Sequence, residues 1–352
     1  MNNQEYLVAV QCMTYNQSQY ILDALNGITM QETSFPFVVL VVDDASTDGE
    51  QDVIRRYVYE QCETGNKEIA YEKETDYAHI AYAQHSTNRN CYITTIYLKE
   101  NHYSQRKSKA AYLAEWRDHV KYIAICEGDD YWIDPQKLQR QVDFMETHPD
   151  YSLCCHRYKI HHQGTDIWEK KTYNPVHEEN SDFTFTQKDN LITWITQPCT
   201  LLYRKDYVPD LKKYNYKYYR DVHLAYHLLE NKKGYCFAFE GSVYRMCSSG
   251  IYASLDDFEK IVVGCCVYAE LLRNNKKDKH LFNKTNIWNT QLLTDIRERI
   301  YRHIPTKKML HFIVVHLRIQ YQLFGLWKTL VSIRKIIKSE ILGILHNYKR
   351  TE

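Results

Sequence analysis

Phe37-Val38-Val39-Leu40-Val41-Val42-Asp43-Asp44 is an unbroken apolar run, mostly valine, closed by two acids. It has the length of a strand and lacks the alternation of a half-solvated one. It therefore reads as a strand buried on both faces, as in a parallel sheet covered by helices. Upstream, Leu7–Met13 (LVAVQCM) is a second short strand, followed by the polar turn Thr14-Tyr15-Asn16. From Ser18 onward Ile21, Leu22, Leu25 and Ile28 recur at the spacing of one helix face. Downstream, Asp48 can cap a helix with Val53, Ile54 and Tyr57 on its inner side. Tyr122–Cys126 (YIAIC) is a third strand, ending at Glu127-Gly128-Asp129-Asp130, and Pro135 opens a helix over Gln136–His148. Strand, polar turn and helix in repetition predict an α/β fold with a mostly parallel, right-handed sheet. Ligands of such sheets bind beyond the carboxyl ends of the strands, where the acidic turns fall.

Residues 65–110 are polar and rich in tyrosine, and read as a long excursion between sheet strands. Strand character resumes at Tyr151–His156, and the chain to about residue 255 is mixed and aromatic. Residues 256–352 read as helical. The expected organisation is one α/β domain over 1–255, divided into halves 1–150 and 151–255, with a helical, basic C-terminal region over 256–352.

At 352 residues the chain is long enough for a large core plus an appendage. A formal net charge of +1 gives no global electrostatic case for nucleic-acid binding. The 31 tyrosines suit sugar recognition but equally fill cores. Eleven cysteines, none in a C-x-x-C arrangement and two pairs directly adjacent, favour reduced thiols in a cytoplasmic protein. The N-terminus shows no basic flank with a long apolar run, so no signal peptide is expected. No stretch reaches the ~18–20 apolar residues that span a bilayer. Phosphate-loop, dinucleotide-binding and nucleophile-elbow motifs are missing, which removes kinase, P-loop ATPase, dinucleotide oxidoreductase and serine-hydrolase readings.

The chemistry therefore rests on the acids. Carboxylates crowded at the ends of buried strands repel one another and lose hydration, so they need a compensating partner. A hard divalent cation with oxygen ligands supplies one, and Mg²⁺ is commonly held by one or two carboxylates plus substrate phosphates. Asp48 and Asp134 read more simply as turn caps. His223 and His227 lie four apart on a helix face but lack an H-E-x-x-H pattern, which favours ordinary packing.

The ordered set Val8-Ala9-Val10 through Thr14-Tyr15-Asn16, Val41-Val42-Asp43-Asp44-Ala45-Ser46-Thr47-Asp48, and Glu127-Gly128-Asp129-Asp130-Tyr131-Trp132, with Asp134-Pro135 and Lys137-Leu138 behind it, resembles the family 2 glycosyltransferases of GT-A fold. The resemblance spans about residues 6–250 and is densest before 155. It implies a metal-dependent, inverting transfer of a sugar from a nucleotide-diphosphate sugar, a UDP-sugar first, to an acceptor hydroxyl. Bacterial surface-polysaccharide assembly is the setting it implies. Asp44 would bind the base, with the Thr14-Tyr15-Asn16 turn beside it. Asp129 and Asp130 would share the ribose and a Mg²⁺ or Mn²⁺ bridging the diphosphate. Glu127 stands where the family carries an aspartate, so its longer arm fits a ligand acting through water.

Asp221, in Tyr218-Tyr219-Arg220-Asp221-Val222-His223, matches the general-base position, while a helix N-cap is the plainer reading. Gln197-Pro198-Cys199-Thr200 with Arg204 resembles the acceptor-side strand. Tyr244-Arg245 with Gly250 resembles the segment that closes over the donor, where Arg245 either neutralises diphosphate or is a solvated surface arginine. Ten Lys or Arg lie among large apolar residues between positions 302 and 350. That region fits either a peripheral contact with an anionic membrane, suited to a lipid-linked acceptor, or packing on the enzyme or a second subunit. The rivals are a metal-dependent nucleotidyltransferase and an inactive nucleotide-sugar-binding protein. The first would need a basic loop after the first strand, whereas Thr14–Gln19 has neither glycine nor a basic residue.

Overall fold

The computed structural model describes residues 5–66, 70–170, 181–217, 219–247, 250, 255–304 and 308–351. Tyr218, quoted above, and Lys307, one of the ten basic residues between 302 and 350, lie outside them. The chain forms two compact units, residues 1–209 with 225–250, and residues 210–224 with 251–352.

In the first unit the chain runs β1 (Val8–Thr14), α1 (Ile21–Thr29), β2 (Phe37–Asp43), α2 (Glu50–Gln61), β3 (Tyr71–Glu74), β4 (Ala78–Gln84), β5 (Cys91–Leu98), α3 (Ala110–Arg117), β6 (Tyr122–Ile125), β7 (Tyr131–Trp132), α4 (Lys137–Thr147), β8 (Tyr151–His162), β9 (Trp168–Lys170), β10 (Phe183–Phe185), α5 (Gln187–Ile192) and β11 (Leu202–Arg204). After α6 (Asp221–Leu228), at whose middle the units meet in sequence, β12 (Lys233–Met246) closes it. The strands form one 12-stranded sheet in the order β10-β12-β8-β11-β6-β1-β2-β5-β4-β3, with β7 on β12 and β9 on β8. Its heart, β6-β1-β2-β5, is parallel, and Val10 of β1 lies opposite Val39 of β2 and Ala124 of β6. Antiparallel strands extend it on both sides.

Every residue of β2 is buried, as its unbroken valine run requires. On α1, Ile21, Ala24, Leu25 and Ile28 face the core, but Leu22 is 43% exposed and does not belong to the buried face. Gly27 lets α1 press on the backbone of β7, since a Cβ there would stand 2.6 Å from Trp132 O. α4 begins at Lys137, a residue later than expected, with Gln136 at its N-cap.

The excursion over 65–110 is a correction to the sequence reading. It contains β3, β4 and the wholly buried β5, which pairs in parallel with β2 from Phe37↔Cys91 to Asp43↔Tyr97. Thr94, Thr95 and Tyr97 look polar in sequence, yet Thr and Tyr fit a pleated, packed surface well.

The second unit is helical: α7 (Asp257–Asn274), α8 (Lys279–Tyr301) and α9 (Met309–Thr351). Asp256 caps α7 and Asp278 caps α8. α9 is broken at Gly325, whose φ of 75° glycine adopts without strain. Phe258, Val262, Cys265, Leu292, Ile296, Phe312, Ile319 and Ile336 form its core. Among the described residues no helix is long and apolar enough to cross a membrane.

Candidate functional site

Three loops leave the carboxyl ends of β1, β2 and β6, and the turn after β1 laces the other two together. Asp44 N donates to Thr14 O at 3.0 Å, and Asn16 N donates to Ser46 Oγ at 2.9 Å. Thr47 N donates to Asn16 Oδ1 at 2.8 Å, and Ser18 N to Asp48 Oδ2 at 2.9 Å. Asn16 and Ala45 hold left-handed backbones at φ 54° and 61°. Asn tolerates that region, whereas for Ala it costs energy that the surrounding hydrogen bonds must offset. Asp48 accepts from Glu50 N at 3.1 Å, but the N-cap of α2 is Gly49 and not Asp48 as expected, because the glycine takes the left-handed turn into the helix.

The anchor of this lacework is Glu50, which no sequence signal singled out. It is 0% exposed, and its carboxylate accepts from Gln17 N at 2.9 Å, from Ser46 Oγ at 2.8 Å and from Thr14 Oγ1. Burial raises its pKa. The signal available was only its place as first residue of α2, where a carboxylate also suits the helix dipole.

Asp44 is buried. Its Oδ1 accepts from His102 N at 2.8 Å, and its Oδ2 from Tyr103 N at 3.0 Å and Lys109 Nζ at 2.7 Å. A carboxylate has about four acceptor sites, so three contacts leave room for one further donor. The 102–109 segment, unread in the sequence, thus joins the site. Asp43 turns the other way, with Oδ1 on Ser46 N at 3.0 Å and Gln51 Nε2 at 2.6 Å. Tyr15 is exposed beside the turn.

Across β1, Gly128 sits against the same turn. A Cβ there would lie 2.2 Å from Thr14 Oγ1 and 2.7 Å from Thr14 Cβ, so only glycine lets the loop after β6 approach. Glu127 is exposed and Asp129 partly buried. Burial raises the Asp129 pKa, while hydrogen bonds from Cys247 Sγ, at 3.5 Å, and from Gln17 oppose the shift. Gln17 therefore touches both the Glu50 carboxylate, through its N–H, and Asp129, through its side chain.

Asp130 departs from its expected role. It is 1% exposed, and its Oδ1 accepts from Arg245 N at 2.8 Å, so it fastens the acidic loop to β12 instead of standing open beside Asp129. Burial, followed by the charges of Asp129 and Glu127, pushes its pKa well up. Its Oδ2 is buried, and the Cys199 thiol lies close enough to this carboxyl to oppose the upward shift. The mutual repulsion of Glu127, Asp129 and Asp130 is what a hard divalent cation would relieve, and Asp129, the less buried of the two aspartates, and Glu127 are the carboxylates that could hold one. Among the described residues no group of three ligating side chains is assembled.

Arg245 is neither a solvated surface arginine nor open to a ligand. Its side chain is 6% exposed, sits over Tyr20 at 4.6 Å and Tyr131 at 5.0 Å, and meets Asp23 at 2.6 Å. Its charge still lowers the Asp129 pKa. Arg204, expected on the acceptor side, is instead a structural clamp on Tyr151 O, Tyr122 Oη and Met145 O. Cys199 is buried, and its carbonyl accepts from Trp132 Nε1 at 2.8 Å.

Asp221 is the first residue of α6 and belongs to the second unit. Its Oδ1 accepts from Val222 N at 3.0 Å, and burial raises its pKa. His223, fully buried, accepts from Arg220 N at 3.1 Å and packs on Tyr216, with Nε2 3.8 Å from the Glu270 carboxylate.

With this geometry in view, known proteins are informative. An uncharacterized protein of Mycobacterium tuberculosis (strain ATCC 25618 / H37Rv), Rv1520, is 29% identical over 153 residues, covering 44% of this chain and 35% of that protein. TuaG of Bacillus subtilis (strain 168), provisionally assigned as a teichuronic acid biosynthesis glycosyltransferase, is 29% identical over 147 residues, 41% of this chain and 44% of TuaG. The chain thus spans less than half the length of these curated relatives. Among solved structures, residues 1–349 of S. aureus TarS in complex with UDP-GlcNAc superpose with a TM-score of 0.57 at 15% identity, covering 98% of this chain and 92% of that one. At that identity the likeness establishes the fold: a GT-A-type α/β sheet followed by helices. The glycosyl transferase family 2 profile matches residues 12–71 and 75–211, more than half of the sequence, and the chain belongs to that family.

Proposed function

We propose that this protein is an inverting glycosyltransferase that moves a sugar from a UDP-sugar to an acceptor hydroxyl during cell-surface polysaccharide assembly in the cytoplasm. The observation that carries this reading is the turn at 14–18, which ties the Asp43–Glu50 loop to the loop holding Asp129 at the ends of adjacent parallel strands. The likeness to TarS, whose structure is a complex with UDP-GlcNAc, and the similarity to TuaG support a UDP-sugar and a polysaccharide product.

In this reading Asp44 accepts from the base edge, and the 14–16 turn, with exposed Tyr15, lines the nucleoside. Asp129 holds the metal, assisted by Glu127, while Asp130 keeps the loop on β12. A Mg²⁺ or Mn²⁺ bound there would neutralise charge on the departing diphosphate. The family resemblance assigns Asp221 the part of the base: it would take the proton of the acceptor hydroxyl while that hydroxyl oxygen bonds to the anomeric carbon and the bond from that carbon to the diphosphate oxygen breaks. Its raised pKa brings the carboxylate nearer the pH at which a base works well. Arg245 contributes positive field at Asp129 from its tyrosine cage and does not touch the donor.

The test is a panel of nucleotide-sugars assayed for metal-dependent release of nucleoside diphosphate. UDP release that disappears in Asp129→Asn, with the circular dichroism spectrum kept, is expected. Asp221→Asn is expected to spare UDP binding and abolish transfer to acceptor. Pyrophosphate release from a nucleoside triphosphate and a sugar phosphate would instead establish the nucleotidyltransferase reading. UDP-sugar binding without turnover on any acceptor would establish a binding protein.

A further inference from the structure

The part of α9 beyond Gly325 is inverted relative to an ordinary surface helix. Its inward side is small and polar: Thr329, Ser332 and Ser339 are buried, with Ile336 the large apolar residue among them. Ser339 Oγ accepts from Arg297 Nε of α8 at 3.1 Å. Its outward side is apolar, with Trp327 77% and Leu326 63% exposed, joined by Leu330, Val331, Ile337, Ile341 and Leu342. At about 100° per residue these side chains occupy a continuous arc of about 160°. An exposed apolar face of this extent marks an interaction surface.

Charge selects the partner. Arg334 and Lys338 fall within the arc, Lys328 and Lys335 lie at one margin, and all four are exposed. The one acid of the segment, Glu340, lies outside the arc toward Thr329. A second copy of the same face would set Arg334 and Lys338 against like charges, which opposes association. A sheet of anionic lipid headgroups neutralises them, and their long stems can lie along apolar surface while the charged ends reach phosphate. Trp327 has the chemistry of a side chain that settles at the headgroup boundary. The helix is not apolar enough to span a bilayer.

We infer that residues 326–342 form an in-plane docking face for an anionic membrane surface. The face belongs to the helical unit, uses none of the donor-site residues, and works whichever sugar is carried. Its failure would leave the proposed transfer reaction untouched.

The full chain is sedimented with vesicles of phosphatidylglycerol and phosphatidylcholine in equal parts, and with phosphatidylcholine alone. Binding is expected to the anionic vesicles, weakened by added salt. The double variant Trp327→Ser/Ile337→Ser, at solvent-exposed positions, should lower the partition coefficient about tenfold or more with an unchanged circular dichroism spectrum. Arg334→Gln/Lys338→Gln should lower it on anionic vesicles alone. Equal binding by the wild type and the Trp327/Ile337 variant would overturn the inference, as would no binding to either vesicle. Concentration-dependent dimers that vanish in that variant, without vesicle binding, would assign the face to a second copy instead.

Discussion

Glu50 shows how a residue that need not touch substrate can govern a donor site. Its buried carboxylate gathers Thr14, Gln17 and Ser46 from two loops. Removing it leaves those donors unsatisfied, at about 1–3 kcal/mol. Glu50→Leu should therefore lower kcat/KM for the donor at least tenfold, mainly through KM, and Glu50→Gln should recover most of the loss because one acceptor oxygen remains. Steady-state kinetics across a UDP-sugar concentration series decide it, and an unchanged KM in Glu50→Leu would remove its positioning role. Gly128→Ala tests the same junction from the other side. A Cβ 2.2 Å from Thr14 Oγ1 must push the turn or the acidic loop, at about 1–3 kcal/mol. Calorimetric titration with UDP and Mn²⁺ should show roughly tenfold or greater weakening. Asp44 and Asp129 were legible in the sequence because each ends an apolar run. Glu50 and Lys109 were not: one looks like an ordinary first-turn helix acid, and the other reaches Asp44 from 65 residues away in sequence. Asp130 misled because adjacency in sequence does not say which of two acids turns inward.

Among the elements, those whose apolar pattern is continuous were the ones read correctly. β2, with its valine run, was found almost to the residue, and β5 was missed because Thr94, Thr95 and Tyr97 are buried polar or amphipathic residues in an interior strand. α4 was placed from Pro135, but its first residue hides a burial that periodicity does not reveal. Lys137 is 0% exposed, donates to Gln141 Oε1 at 2.7 Å, and lies 3.9 Å over the Trp132 ring. Burial lowers its pKa from 10.5 to about 8. The unfolded chain keeps that proton to higher pH, so below pH 8 the folded protein bears the full cost of a buried cation. Between about pH 8 and 10.5 the unfolded state binds more protons than the folded one, and stability rises with pH. Lys137→Met abolishes the rise. Urea unfolding at pH 7.5, 9 and 10 should show the wild type gaining on the variant by up to about 3 kcal/mol across the full window. A gap that stays flat would mean that Lys137 keeps its proton when folded.

At the scale of the whole molecule, a loss of strand pattern and a gain in basic residues put the expected change at residue 256, whereas the helical unit takes in 251–352. The membership of 210–224 in that unit was not visible in the sequence, because that segment carries no long apolar period of its own. Each unit has a separate core, one centred on β1 and β2 and one on α7, α8 and α9. They should therefore respond differently to acid. His316 is fully buried in the helical unit, with Nδ1 2.9 Å from Asn289 Oδ1, and burial lowers its pKa from 6.5 to about 4. Between those values the unfolded chain takes up a proton that the folded unit refuses, so stability falls as pH drops through that window. From pH 7 to pH 5 the loss from this one group is about 2 kcal/mol. His316→Gln keeps a polar partner for Asn289 and does not titrate. At pH 5, hydrogen exchange should show amides of α8 and α9 better protected in His316→Gln than in the wild type, relative to their difference at pH 7, while β1, β2 and β5 stay the same in both. Equal protection of α8 and α9 at both pH values would mean that His316 titrates normally. A parallel loss in the sheet strands would mean that the two cores open as one.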